Sequence, residues 1–491
     1  MNDGFDAVVV GSGPNGLVAA VRLAEAGWRV LLLEAADTLG GGLRTEELTL
    51  PGFRHDVCAT ALPLAVASPA FRALDPARDG VEFVHPPLPA AHPLDGGTAA
   101  LVLRDADATA VGFGRDARRW RATVGATARA GFPLVDTLLA PLDLPPRAPV
   151  AAVRYGALGA LPATVTGRLF REPAARAAFA GMAAHSELDL GSPISAGYGL
   201  LLAALAHSVG WPVVRGGSQV LADALVGRLR RLGAEIVTGC RVRHVGELPP
   251  APAILLDLTP RQVLEIAREQ LPLAYRRRLE RYRYGPGVFK LDYALDGPVP
   301  WSDPAVGGAG TVHLGGTFEE VAAGERAVAR GGHPDRPFVL GVQACVADPS
   351  RAPAGKHTFW AYCHVPHGST VDMTAAIEAQ LERFAPGFGE RVLARHAMGP
   401  AALEAHNANE VGGDIGGGAA DWRQFLARPV LSPAPWRTPV PGLYLCSSST
   451  PPGGGVHGMG GWQAAGWALR ARARITLFGR RFPRTRPGGP V

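Results

Sequence analysis

The stretch that most restricts the fold runs from residue 5 to residue 35, FDAVVVGSGPNGLVAAVRLAEAGWRVLLLEA. Residues 5–10 have the composition of a buried strand and lead directly into Gly11-Ser12-Gly13-Pro14-Asn15-Gly16. A helical pattern follows, with Leu17, Ala20, Leu23 and Ala24 on one face, and Gly27 stops it. Residues 28–33 read as a second buried strand, with Glu34 at its end. Strand, glycine loop, helix, strand and acid in this order form a βαβ unit suited to a dinucleotide. Gly11 permits the tight turn. Gly13 is expected to let the backbone approach a pyrophosphate, and Gly16 to let the helix pack closely on the strand. Free N–H groups at the helix start then hold negative phosphates. Glu34 is placed to accept hydrogen bonds from an adenosine ribose, and an acid there repels a 2′-phosphate.

With 491 residues, 47% of them apolar, the chain is long enough for two or three domains. The net charge is +6, and arginine supplies nearly all the positive side chains; the only lysines are Lys290 and Lys356. No basic run is interleaved with aromatics, so nucleic acid is not an expected partner. Arg480, Arg481, Arg484 and Arg486 read as a solvated basic end, with at most peripheral membrane contact. The five cysteines are scattered and include no CxxC pair, which argues against a disulfide framework, a redox disulfide or a zinc site. Histidines at ligand spacing are also missing, so no metal is expected. With a strand at its very start, the chain is expected to be cytoplasmic. The longest apolar run, residues 194–211, contains His207 and reads as a buried helix rather than a membrane span.

Beyond Glu34, Gly40-Gly41-Gly42-Leu43-Arg44 suits a loop whose backbone lies against a ligand, with Arg44 on a phosphate or ring edge. His55 and Asp56 are adjacent on a strand, so only one of them can face a cleft. Short strands are expected over 81–105 and helices over 116–130, 133–144 and 161–184. The helix over 194–209 is apolar on all sides and therefore belongs to core or to a cavity wall. From residue 210 the texture returns to α/β, with a helix over 219–232 and strands over 235–238, 240–245 and 253–258. A charged helix is expected over 261–283. Strands over 287–295, 311–315, 338–346 and 357–365 suggest a second, mixed sheet, followed by a helix over 374–384. Residues 406–418 are polar and then glycine-rich. A strand over 440–446, a small-residue loop over 447–461 and a closing helix over 462–477 complete the chain.

Three stretches carry a resemblance: GSGPNG with Glu34, the triple-glycine loop with Arg44, and GLYLCSSSTPPGGGVHGMGG near the C-terminus. Together they resemble FAD-dependent oxidoreductases of the phytoene-desaturase-like branch, within the amine-oxidase-like flavoprotein superfamily. The resemblance implies an α/β fold: a Rossmann-like FAD-binding domain built from three separated segments, with an inserted α+β substrate domain on an antiparallel or mixed sheet. The expected division is 1–80, 211–285 and 435–491 for FAD, and 81–210 and 286–434 for substrate. FAD would be held by Gly11, Gly13, Pro14, Asn15, Gly16, Glu34, Ala35, Gly41, Gly42 and Arg44. Val242 would meet the adenine, and Gly455, Val456 and Met459 would face the isoalloxazine.

The function so implied is dehydrogenation (desaturation) of an apolar small molecule, isoprenoid or polyketide-derived, by hydride transfer to flavin N5. The alternatives are an amine or alcohol oxidase, marked by an aromatic cage, and a non-catalytic escort-type binding protein. A second dinucleotide motif is missing, so oxygen or a quinone would reoxidise the flavin. Loss of a proton needs a base. The candidates are His457 in the flavin-facing loop, then His406 and Asp414. Trp462 either walls the flavin or packs the last helix. The substrate cavity is expected between the 194–209 helix and the strand around residues 289–293.

Overall fold

Two sheets organise the chain, of which the computed structural model describes residues 4–140 and 146–481. The first is parallel and has the order Leu443–Leu445, Ala253–Leu256, Ala7–Val10, Val30–Leu33, Glu235–Val237. Its three central strands are continuous apolar runs because elements cover both of their faces. Val9, Leu32 and Leu255 enter a core shared with the helices Pro14–Glu25 and Met459–Arg481. Their neighbours Val8, Leu31 and Leu256 enter the opposite core with Val263 and Ile266. All five strands lie within residues 1–80, 211–285 and 435–491.

The second sheet has the order Val392–Met398, Gly287–Leu295, His357–Val365, Val339–Val342, Ala309–Leu314, Leu88–Leu94, Thr98–Val102. Its pairs are antiparallel except that Ala309–Leu314 runs parallel to Leu88–Leu94, so the sheet is mixed. Alternation along the His357–Val365 strand sends Phe359 and Cys363 to a core that also holds Ile377 and Leu381 of the helix Thr374–Phe384. Trp360 and Tyr362 point to the other side, toward the helices Pro173–Ala184 and Ser195–Ser208. All seven strands lie within residues 81–210 and 286–434. The fold is α/β, with a Rossmann-like part and a mixed-sheet part.

Several sequence expectations change. Residues 240–245 form no strand: Gly239 and Cys240 N–H donate to Ala36 and Glu34 carbonyls, and the chain then leaves the sheet edge. The helix expected over 161–184 is split into Ala163–Thr166 and Pro173–Ala184, because the residue before Pro173 is driven out of helical geometry. Pro272 likewise separates Pro260–Ala267 from Leu273–Glu280, and the first of these buries Val263 and Ile266 rather than lying solvated. The helix expected over 133–144 is observed as Gly131–Leu139, and residues 141–144 lie outside the described residues. The strand expected over 338–346 ends at Val342. The closing helix begins at Met459, inside the expected loop. Arg484 and Arg486 lie outside the described residues. Among the described residues no helix is long and apolar enough to cross a membrane.

Candidate functional site

The glycine loop between the first strand and first helix shows why its residues must be small. A Cβ on Gly16 would stand 2.1 Å from the Gly11 carbonyl oxygen, so helix and strand approach as closely as the sequence predicts. At Gly13 a protein group also demands a small residue. A Cβ there would stand 2.7 Å from Asp257 Oδ2, a protein carboxyl that also accepts the Gly16 N–H at 2.8 Å. Pro14 opens the helix at a position where its missing N–H costs nothing. Glu34 Oε2 accepts from Ser12 N–H at 2.9 Å and from Ser12 Oγ at 2.6 Å, and Oε1 accepts from Ala36 N–H at 2.9 Å. A carboxylate has about four acceptor sites, so Oε1 retains capacity for a ribose hydroxyl.

Arg44 is buried and donates to the Thr38 and His406 carbonyls, both at 3.0 Å. Among the described residues its Nε has no partner, and neither does Asn15 Oδ1. Two orphaned buried polar atoms beside a glycine cradle fit a bound dinucleotide, since such groups are otherwise costly. Among the described residues Val242 N–H donates to no acceptor, which leaves it available to a ring nitrogen.

One cavity of about 1400 Å³ joins these residues to the second sheet. Its wall includes Gly11, Gly13, Pro14, Asn15, Glu34, Ala35, Gly41, Gly42, Arg44, Val242, Gly455 and Val456. Single ligand sites usually span roughly 300–1,000 Å³, so this cavity has room for a cofactor and a second molecule. Gly16 lies just behind the wall. Met459 corrects an expectation: it starts the closing helix, is 1% exposed and packs into the core. Trp462 packs too, beneath the Arg22 guanidinium at 3.9 Å. The helix Ser195–Ser208 lines the cavity through Gly197, Tyr198, Leu201 and Leu202. The opposite wall is not the strand around residues 289–293, whose Phe289, Leu291 and Tyr293 fill the core beyond the sheet. Thr311, Leu340, Val342, Trp360 and Tyr362 form it instead.

The three expected catalytic side chains reach the cavity wall, yet each is engaged elsewhere. His457 Nδ1 accepts from Met459 N–H at 3.0 Å, so Nε2 carries the hydrogen and donates to the Gly453 carbonyl at 3.0 Å. Burial pushes its pKa down to about 4. With both nitrogens committed, His457 fastens the loop and offers no site for a proton. His406 Nε2 pairs with Glu46 at 2.9 Å. Asp414 accepts from Gly285 N–H at 2.7 Å and Gly416 N–H at 2.8 Å, which shapes the glycine-rich segment. His55 and Asp56 both lie off the cavity: Asp56 pairs with Arg351 at 2.7 Å, and His55 Nδ1 stands 3.5 Å from Asp292. Among the described residues no group of three metal-binding side chains occurs.

Sequence reasoning missed Glu187, Asp257 and Glu410, all on the cavity wall. Burial pushes Glu187 up to about 8, and Asp257 and Glu410 each up to about 7. No motif surrounds them; only the fold brings residues so distant in sequence to one chamber.

Residues 9–75 match the family model described as an NAD(P)-binding Rossmann-like domain. Over 94% of this chain and 92% of its own length, the rat pyridine nucleotide-disulfide oxidoreductase domain-containing protein 2 is 28% identical. One of the limonene dehydrogenase subunits of Castellaniella defragrans is 34% identical over 24% of this chain and 22% of its own. A triple mutant of putrescine oxidase, from a redesign of its cofactor binding, superposes with a TM-score of 0.61 at 18% identity, covering 96% of this chain and 99% of that one.

Proposed function

We propose that this chain is an FAD-dependent oxidoreductase of the phytoene-desaturase-like kind, dehydrogenating an apolar small molecule, isoprenoid or polyketide-derived. The observation that carries the reading is the single cavity running from the dinucleotide cradle to a chamber between an apolar helix and the mixed sheet. The partial likeness to a limonene dehydrogenase supports an isoprenoid body. FAD, when bound, supplies the hydride acceptor. Glu34 and the glycine loop hold its nucleotide half, and Arg44 Nε serves a phosphate or the ring. Leu201, Leu202 and Val342 keep water from the substrate. Electrons then pass to oxygen or a quinone. Retained binding groups argue against an escort-type protein. A second reading, amine oxidation, draws support from Trp360 and Tyr362, whose rings face each other at 5.7 Å and 13° on the chamber wall.

Anaerobic bleaching of the loaded protein tests the pair. Flavin reduction by a cyclic terpene alcohol or hydrocarbon, and none by alkylamines, supports the first reading. Reduction by amines alone replaces it with the second. No reduction by either class refutes both.

A further inference from the structure

Glu187 lies three residues beyond the end of the helix Pro173–Ala184 with φ +57°, a left-handed conformation that glycine adopts without strain and glutamate rarely takes. Its N–H closes the helix on the Ala184 carbonyl at 2.9 Å. Its side chain lines the cavity, and no described residue hydrogen-bonds its carboxyl. An unfavoured backbone that delivers an unpartnered carboxyl to a chamber is a reason to look for a ligand.

The charged groups around it narrow the ligand's chemistry. His364 faces Glu187 from the sheet, but its Nδ1 already pairs with Glu325 at 2.8 Å, from the helix Phe318–Ala329. Arg428 faces it from the glycine-rich side, and its Nε, Nη1 and Nη2 all donate to the carbonyls of Ser448, Gly418, Ala419 and Gly416. Asp414 adds negative charge from the same side. Glu325 adds negative charge as well, and Tyr198 of the helix Ser195–Ser208, Tyr362 of the sheet and the Cys58 thiol also face the carboxyl. Arg428 is therefore committed, His364 keeps its Nε2 without a partner among the described residues, and the three carboxyls Glu187, Glu325 and Asp414 outnumber these two cations.

We propose that Glu187 anchors a cationic head group, an ammonium carried on an otherwise apolar ligand, inside this cavity. The proposal rests on the reading of the cavity as the substrate chamber of an FAD oxidoreductase. It requires no particular reacting bond, because the anchored nitrogen and the oxidised carbon need not be neighbours. Near pH 7 the carboxyl, pushed up to about 8 by burial, holds its proton, so an arriving ammonium displaces that proton to solvent.

Calorimetry on the FAD-loaded protein under anaerobic conditions tests this with n-octylamine, octan-1-ol and octanoate as probes. Octylamine is expected to bind about tenfold or more tightly than octanol, the scale of a charge-assisted pair, with octanoate weakest. Binding of octylamine is expected to release protons, read from buffers of different ionisation enthalpy. Glu187→Gln abolishes both the preference and the proton release. Glu187→Gly does the same while raising the melting temperature, because the backbone strain is relieved. Equal binding of amine and alcohol, or a preference that survives both substitutions, overturns the anchor. A colourless protein that still prefers the amine overturns the oxidoreductase reading and leaves the anchor standing.

Discussion

Gly13→Ala separates two accounts of the glycine loop. The backbone at Gly13 has φ −62° and ψ 174°, which alanine adopts freely, so any cost comes from space alone. The new methyl would stand 2.7 Å from Asp257 Oδ2 and would force that oxygen away from the Gly16 N–H it accepts at 2.8 Å. Leaving that buried N–H without its acceptor costs about 1–3 kcal/mol. Asp257→Ala removes the same hydrogen bond and has a similar cost. In the double variant the obstructing oxygen is gone, so the total stays near about 1–3 kcal/mol instead of doubling. Urea unfolding of FAD-free protein, followed by circular dichroism, measures the cycle. Additivity within about 0.5 kcal/mol refutes the assignment. So does a Gly13→Ala protein of unchanged stability that has lost FAD affinity, because the phosphate would then be what the methyl meets.

His457→Gln is expected to keep flavin reduction within a few-fold of the parent rate and to lower stability by about 1 kcal/mol; a hundredfold slower reduction would restore its role as base. Leu201→Trp is expected to fill the chamber and block turnover with FAD retained. Leu205→Trp instead overpacks a residue 1% exposed in the core and costs about 1–3 kcal/mol, read as a lowered melting temperature. Glu187, Asp257 and Glu410 have folded pKa values raised to about 8, 7 and 7. The folded state therefore binds more protons than the unfolded one, and the stability of FAD-free protein falls as pH rises from about 6.5 to 8.5. Asp257→Asn flattens that slope, and melting curves across the range measure it.

The parallel sheet was legible because its strands are doubly buried, and so are uniformly apolar, and because the glycine loop sits between two of them. Gly16 was assigned its correct partner because helix–strand contact is local. At Gly13 the carboxyl of Asp257 was not foreseen, because it arrives from a strand far away in sequence. The helix at residues 194–209 was recognised as a cavity wall from its all-round apolarity. The facing strand was misassigned because alternation along Gly287–Leu295 separates Val288, Lys290 and Asp292 from Phe289, Leu291 and Tyr293 without showing which side meets the helix Ser195–Ser208. His457 was a reasonable base on sequence, yet two bonds within its own loop consume both nitrogens. Glu187 carried no signal, since a left-handed glutamate cannot be read from residue type.

The central claim is that the cradle holds FAD. The direct measurement is the visible absorption spectrum of the purified protein, with the nucleotide released by heat identified and quantified by mass. The account predicts a yellow protein with flavin bands and about one FAD per chain. A colourless protein that binds no added FAD, or one that releases stoichiometric NAD, would contradict it.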